Sequence, residues 1–131
     1  MAAPTPTTKS GQSGHTGYSI WYATWANTDD HSDHAVVDLS GLTSYTTSLK
    51  ITKGHIVASS GISVMLELDA STDIPIALHP TGASGRIDFD FDNIPGGGIS
   101  SVAGDTGDLL LTTTSCASGD MVYVFVEWKA Y

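Results

Sequence analysis

Cationic side chains are scarce in this chain: four lysines and one arginine stand against 14 acidic residues among 131, a formal net charge of −9. Nucleic-acid binding relies on clustered Lys and Arg that displace counterions from phosphates, so bases this few and scattered argue against a DNA or RNA partner. They disfavour an anionic membrane surface for the same reason. Cysteine is nearly absent. Cys116 alone cannot form an internal disulfide, and its neighbours Ser115, Ala117 and Ser118 bring no base to activate the thiol, so stability must come from packing and assembly. Nowhere do about 18 apolar residues follow one another, and the N-terminal residues have neither the basic head nor the apolar run of a signal peptide. Synthesis and assembly in a cytoplasm is the expectation.

Glutamate is also rare: only Glu67 and Glu127 are Glu, against twelve Asp. Asp favours turns and caps where Glu favours helix interiors. With abundant Thr and Ser, 14 glycines and no sustained 3.6-residue apolar stripe, the chain reads as all-β. Its length fits one domain of roughly 100–150 residues, and its 40% hydrophobic content suffices for one core.

Residues 1–14 are small, polar and Pro-containing without periodicity, which predicts an extended, flexible N-terminal arm ordered only against a partner. Residues 15–131 then form the domain. In the strand predicted over 16–26, Tyr18, Ile20 and Tyr22 alternate with Trp21, Ala23 and Trp25, so both faces want cover. A short strand follows over 35–39. Residues 45–58 read as one long or two short strands with a break near Gly54. Ile62, Val64, Leu66 and Leu68 line one side of a half-buried strand, and residues 74–78 form a further strand that Pro75 demotes to an edge. Residues 86–92 alternate apolar residues with Asp88, Asp90 and Asp92, and Gly96 to Gly98 make a flexible loop. Two strands over 108–114 and 120–129 close the chain, the last suited to a central position. Seven or eight short strands punctuated by Gly, Asp and Ser describe a single antiparallel β-sandwich, with a jelly roll as one arrangement.

Several polar constellations invite chemistry. Asp29, Asp30, Asp33, His31 and His34 lie within seven residues and include a His-x-x-His pair suited in type to a divalent ion; as a solvated loop, the same residues would cap turns. Asp88, Asp90 and Asp92 share one strand face, which serves equally as a solvent face that blunts edge pairing or as a source of calcium ligands. His15, His55 and His79 are isolated, without a nucleophile elbow or a phosphate-cradling loop. Glu67 and Glu127 would make an acid/base pair only if folding brought them together. The weighed reading is no catalytic residue, no metal site and no cofactor.

Aromatic residues cluster in the two terminal strands. Tyr18, Trp21, Trp25, Tyr123, Phe125 and Trp128 are the candidate subunit or capsid contact, because two-sided strands carry more apolar surface than one sandwich interior needs.

The C-terminal third runs Gly104-Asp105-Thr106-Gly107-Asp108-Leu109-Leu110-Leu111-Thr112-Thr113, then Ser118-Gly119-Asp120, then Val122-Tyr123-Val124-Phe125-Val126-Glu127-Trp128-Lys129. It resembles small all-β virion proteins of tailed bacteriophages, especially head decoration (cement) proteins. The resemblance implies a non-enzymatic structural protein that binds the outside of an assembled shell and clamps its subunits against internal pressure. Its implied partners are the major capsid protein and further copies of itself in a homotrimer. The implied location is the capsid exterior, after assembly in the host cytoplasm. A second reading is a carbohydrate-binding β-sandwich, an adhesion or fibre module that stacks sugars on Trp21, Trp25 or Trp128. A third is a small metal-dependent enzyme built around His31 and His34.

Overall fold

The protein is described by a computed structural model, which covers residues 3–42, 48–69, 72–83, 85–95, 97–100 and 108–131. Residues 45–47 of the strand expected over 45–58, and Gly104 to Gly107 of the resemblance, lie outside the described residues. Ten strands are described: β1 (Thr7–Ser13), β2 (Thr16–Thr24), β3 (His34–Val37), β4 (Leu49–Ala58), β5 (Ser63–Leu68), β6 (Ile74–His79), β7 (Gly85–Asp90), β8 (Ile99–Ser100), β9 (Leu109–Thr114) and β10 (Met121–Ala130). Among the described residues the one helical turn is the 3-10 segment Leu39–Gly41, where the Asp38 carboxylate accepts from the Ser40 N–H. No described helix is long and apolar enough to cross a membrane.

The strands form two antiparallel sheets. The larger has the order β1-β2-β10-β4-β7, with β8 also on β4, and the smaller has the order β3-β9-β5-β6. Strand β2 pairs with β10, β3 with β9, β4 with β7 and β5 with β6, as in one long hairpin rolled up into two sheets. This is the jelly-roll order, to which β1 adds an edge. The last strand is central, as its two apolar faces predict, and β6 with Pro75 is an edge strand.

The core lies between the sheets. From the larger come Trp21, Leu49, Ile56, Val122, Val124, Val126 and Trp128, and from the smaller Val64, Leu66, Leu68, Leu109 and Leu111. In β7, Ile87 and Phe89 turn partly inward while Asp88 and Asp90 face water, which is the alternation read in the sequence.

Two expectations are corrected. Residues 7–13 are not a flexible arm: as β1 they pair with β2 from Thr7–Tyr22 to Ser13–Thr16, so the folded unit begins near Thr7 instead of residue 15. Backbone hydrogen bonds alone satisfy this edge, so polar side chains suffice and no apolar period announces it. The reversal needs only Gly14 and His15, with Gly14 at φ +60, a conformation that costs glycine little. Nor does the chain break near Gly54, since β4 runs unbroken from Leu49 to Ala58. Its irregularity is a bulge opposite Glu127 and Trp128, where Ile51 and Thr52 are both buried and the Thr52 hydroxyl donates to the Glu127 carbonyl at 3.0 Å.

Candidate functional site

The six aromatic residues expected at a contact surface divide by face. Trp21, Trp25 and Trp128 are 0%, 2% and 1% exposed and belong to the core, so they form neither a contact surface nor a sugar-stacking platform. The Trp128 indole N–H donates to the Ser19 hydroxyl at 3.0 Å, and the Trp25 N–H donates to the Asp29 carbonyl at 2.7 Å. Tyr18, Tyr123 and Phe125 point the other way, onto the outer face of the larger sheet, where Ile20, Tyr22 and His55 join them. The sequence separates the two faces of β2 and β10 but carries no period that says which is inside. One available signal is the tyrosine hydroxyl, which favours a face that meets water.

The register builds this outer face in rows that cross the sheet. One row runs Thr7, Tyr22, Tyr123, Val57, Arg86. The next runs Lys9, Ile20, Phe125, His55, Asp88, and the third runs Gly11, Tyr18, Glu127, Lys53, Asp90. Rings stack across the strands: Tyr22 on Tyr123 at 6.1 Å, Tyr123 on His55 at 5.9 Å, Tyr18 on Phe125 at 6.4 Å and Phe125 on His55 at 5.3 Å, all within 26° of parallel. Such offset stacking turns ring faces toward one another. The result is a ridged apolar surface two rows deep, with charged groups at its borders. Arg86 and Asp88 pair at 2.7 Å on one border, and Lys53 lies 3.5 Å from Glu127 in the third row. His55 is held below the usual histidine range by partial burial and by the Arg86 charge, against the opposing pull of Asp88.

The loop carrying His31 and His34 has a structural role. Asp30 accepts from the Cys116 N–H at 3.0 Å, the Ser115 N–H at 3.2 Å and the Thr113 hydroxyl at 3.2 Å, which sews the loop to the end of β9. Burial opposes ionisation of Asp30, yet these hydrogen bonds outweigh it and hold the carboxyl below its usual value. His31 is buried among Trp21, Trp25 and His34, and its Nε2 lies 2.9 Å from the Pro4 carbonyl. Its Nε2 is thus engaged by the protein, and among the described residues no group of three His, Cys, Asp or Glu side chains could hold a metal ion. Glu67 and Glu127 stand on different sheets, on β5 and β10, and do not form a pair. Burial pushes the Cys116 thiol up to about 12, which leaves it unreactive. His15, in the turn between β1 and β2, stacks on Tyr131, and His79 is fully buried.

Burial depresses His31 first, with the neighbouring His34 charge adding to it and the Pro4 carbonyl and Asp30 opposing. As pH falls through about 6.5 the unfolded chain therefore takes up protons that the folded chain resists, and stability falls. His55 acts in the same direction. The expected outcome is a urea midpoint that drops between about pH 7 and 5.5 and drops less in His31→Asn. A midpoint flat across that window would remove His31 as an acid-sensitive group.

No protein-family model matches the chain, and no curated protein does. Among solved structures it is similar to a chain of the Bacillus endospore appendages, described as a novel family of disulfide-linked pili. That likeness has 8% identity over 99% of this chain and 94% of the other, at a TM-score of 0.41. It is also similar to the Drosophila NLP core, described in terms of pentamer formation and histone binding, with 13% identity over 87% of this chain and 97% of the other, at a TM-score of 0.36. Likenesses this remote bear on neither mechanism nor partner.

Proposed function

We propose that this protein is a non-enzymatic structural component of a phage head, a decoration protein that binds the outer capsid surface and stabilises the shell. The observation that carries this reading is the outer face of the larger sheet. Tyr18, Ile20, Tyr22, Tyr123 and Phe125 form a contiguous apolar surface on the larger sheet, and surfaces of this kind mark protein contacts. The stacked rings suit a shaped protein surface better than a sugar, which needs an open ring face. The acidic balance, with Asp88 and Asp90 exposed beside that face, keeps free nucleic acid away. Jelly-roll order recurs in viral capsid and lectin domains, so the fold agrees with this role without selecting it.

The test is co-sedimentation with undecorated capsids of the source virus. Wild-type protein should pellet with the particles and Phe125→Asp should stay in the supernatant, while both keep the same circular dichroism spectrum. Equal occupancy of the two proteins on the capsid would remove the face from the assembly contacts that decoration needs, and a wild-type protein that never pellets would overturn decoration altogether.

A further inference from the structure

We propose that the outer face of the larger sheet is covered by the same face of a second copy, related by a two-fold axis that runs along β10. This rests on reading that face as an assembly contact and names a second copy as its occupant, so that the pair is the decorating unit and the capsid meets surfaces the pair leaves open. The two-fold stands in place of the three-fold that the resemblance implied.

The choice of a second copy comes from the arrangement of charge across the rows. Lys9 stands on β1 at one border of the sheet and Asp88 on β7 at the other, in a single row with Ile20, Phe125 and His55 between them. Among the described residues Lys9 has no ion-pair partner. A two-fold parallel to β10, passing through the face, exchanges left for right while keeping each row in register with itself. It sets Lys9 of each copy opposite the partner's Asp88, twice, and seats Phe125 against Phe125 and Tyr123 against Tyr123 on the axis. Apolar rows then meet apolar rows and the polar third row meets itself at the rim. There each Glu127 keeps its own Lys53 at 3.5 Å, which offsets the approach of the two carboxylates.

The other two-fold available to a face-to-face pair lies across the strands, and it fails on the same residues. Lys9 would meet Lys9 and Asp88 would meet Asp88. Although Arg86 would gain Asp90, the charged Lys53 and Glu127 would be pressed onto Val57 and Tyr123. Desolvating charges against apolar side chains is costly, and moving this axis between the first two rows would set Lys9 against Thr7 with no counter-charge, so the axis along β10, which pairs Lys9, is selected.

The dimensions also suit. The four spacings between five strands, about 4.8 Å each, and ten residues of β10 at about 3.3 Å each give on the order of 600 Å² of face per copy. That lies near the standard size of a specific interface, roughly 800 Å² per partner. Packed sheets cross at about 30°, and a lysine side chain is long enough to follow the splay at the corners.

Light scattering on the full-length protein should give twice the chain mass. Zero-length carbodiimide coupling of a mixture of isotope-labelled and unlabelled copies should yield a Lys9–Asp88 amide that joins a labelled to an unlabelled peptide. Within one chain these residues are four strand spacings apart, about 19 Å, beyond the reach of a direct amide. Coupling of Lys53 to Glu127 serves as the internal control. Lys9→Glu and Asp88→Lys should each weaken the pair at least about tenfold, and combining them should restore it, which loss of the Arg86–Asp88 contact alone would not allow. A monomer, a trimer, or a dimer without the mixed Lys9–Asp88 product would overturn the proposal. A monomer that still pellets with capsids would overturn the pair and leave decoration standing, and a cross-linked dimer that ignores capsids would do the reverse.

Discussion

Trp128→Ala is expected to lower the free energy of unfolding by about 3–5 kcal/mol, a large part of the roughly 5–15 kcal/mol a domain of this size has available. The indole is buried to 1% exposure on the inner face of the central strand, and its N–H donates to the Ser19 hydroxyl. Truncation therefore opens a cavity and also leaves a buried hydroxyl without its donor, a further loss of about 1 kcal/mol. The cavity would close only partly, because the ring lies against Gly17, where an added Cβ would stand 2.3 Å from it, and the flanking β2 and β4 ladders hold their places. Trp128→Phe should cost less, since it keeps an aromatic ring and loses chiefly the N–H. The measurement is a urea titration of each variant. A change under about 1 kcal/mol for the alanine variant would mean that Trp128 does not carry the core.

Gly54→Ala should be the second large loss, at about 3 kcal/mol or more, and it comes from added volume. Gly54 sits inside β4 opposite Val126, and a Cβ there would lie 2.1 Å from the Phe125 carbonyl oxygen and 2.7 Å from the Phe89 ring. The ring can shift, but the carbonyl belongs to the backbone of the central strand. Accommodating the methyl group therefore means parting β4 from β10, the most extensive strand pairing in the fold. Gly61→Ala is the control, because nothing stands within 4 Å of where its Cβ would be and its change should stay within about 0.5 kcal/mol. Equal stabilities for the two variants would refute the close approach of the strands at Gly54.

Particular residues show how far the sequence carries. The alternation in 62–69 and 86–92 is legible because each strand has one polar face, and both strands appear there, although β7 ends at Asp90 and leaves Asp92 in a turn. Pro75 marks an edge because it has no N–H to give a second neighbour. Gly54 misleads: a glycine inside an apolar run reads as a break, yet here it marks where two backbones come close. The β1 strand is silent for the opposite reason, since its contribution is made by backbone groups that every residue carries. The tryptophans mislead most. In β2 and β10 both side-chain sets are apolar, so period two separates the faces without orienting them, and the indoles that look like a contact surface are the centre of the core.

The class, the span of most strands and the acidic, Asp-marked turns are local properties, because each follows from a residue and its near neighbours: β-branched propensity, a period of two, and turn chemistry at Gly and Asp. Tertiary structure alone decided the order of the strands, which face of β2 and β10 meets water, and the row that sets Lys9 and Asp88 at opposite borders of one surface. Those features depend on pairings between residues as far apart as Gly17 and Trp128. Such pairings are settled by the packing of the whole core against the entropy of closing long loops, and no local window contains that sum.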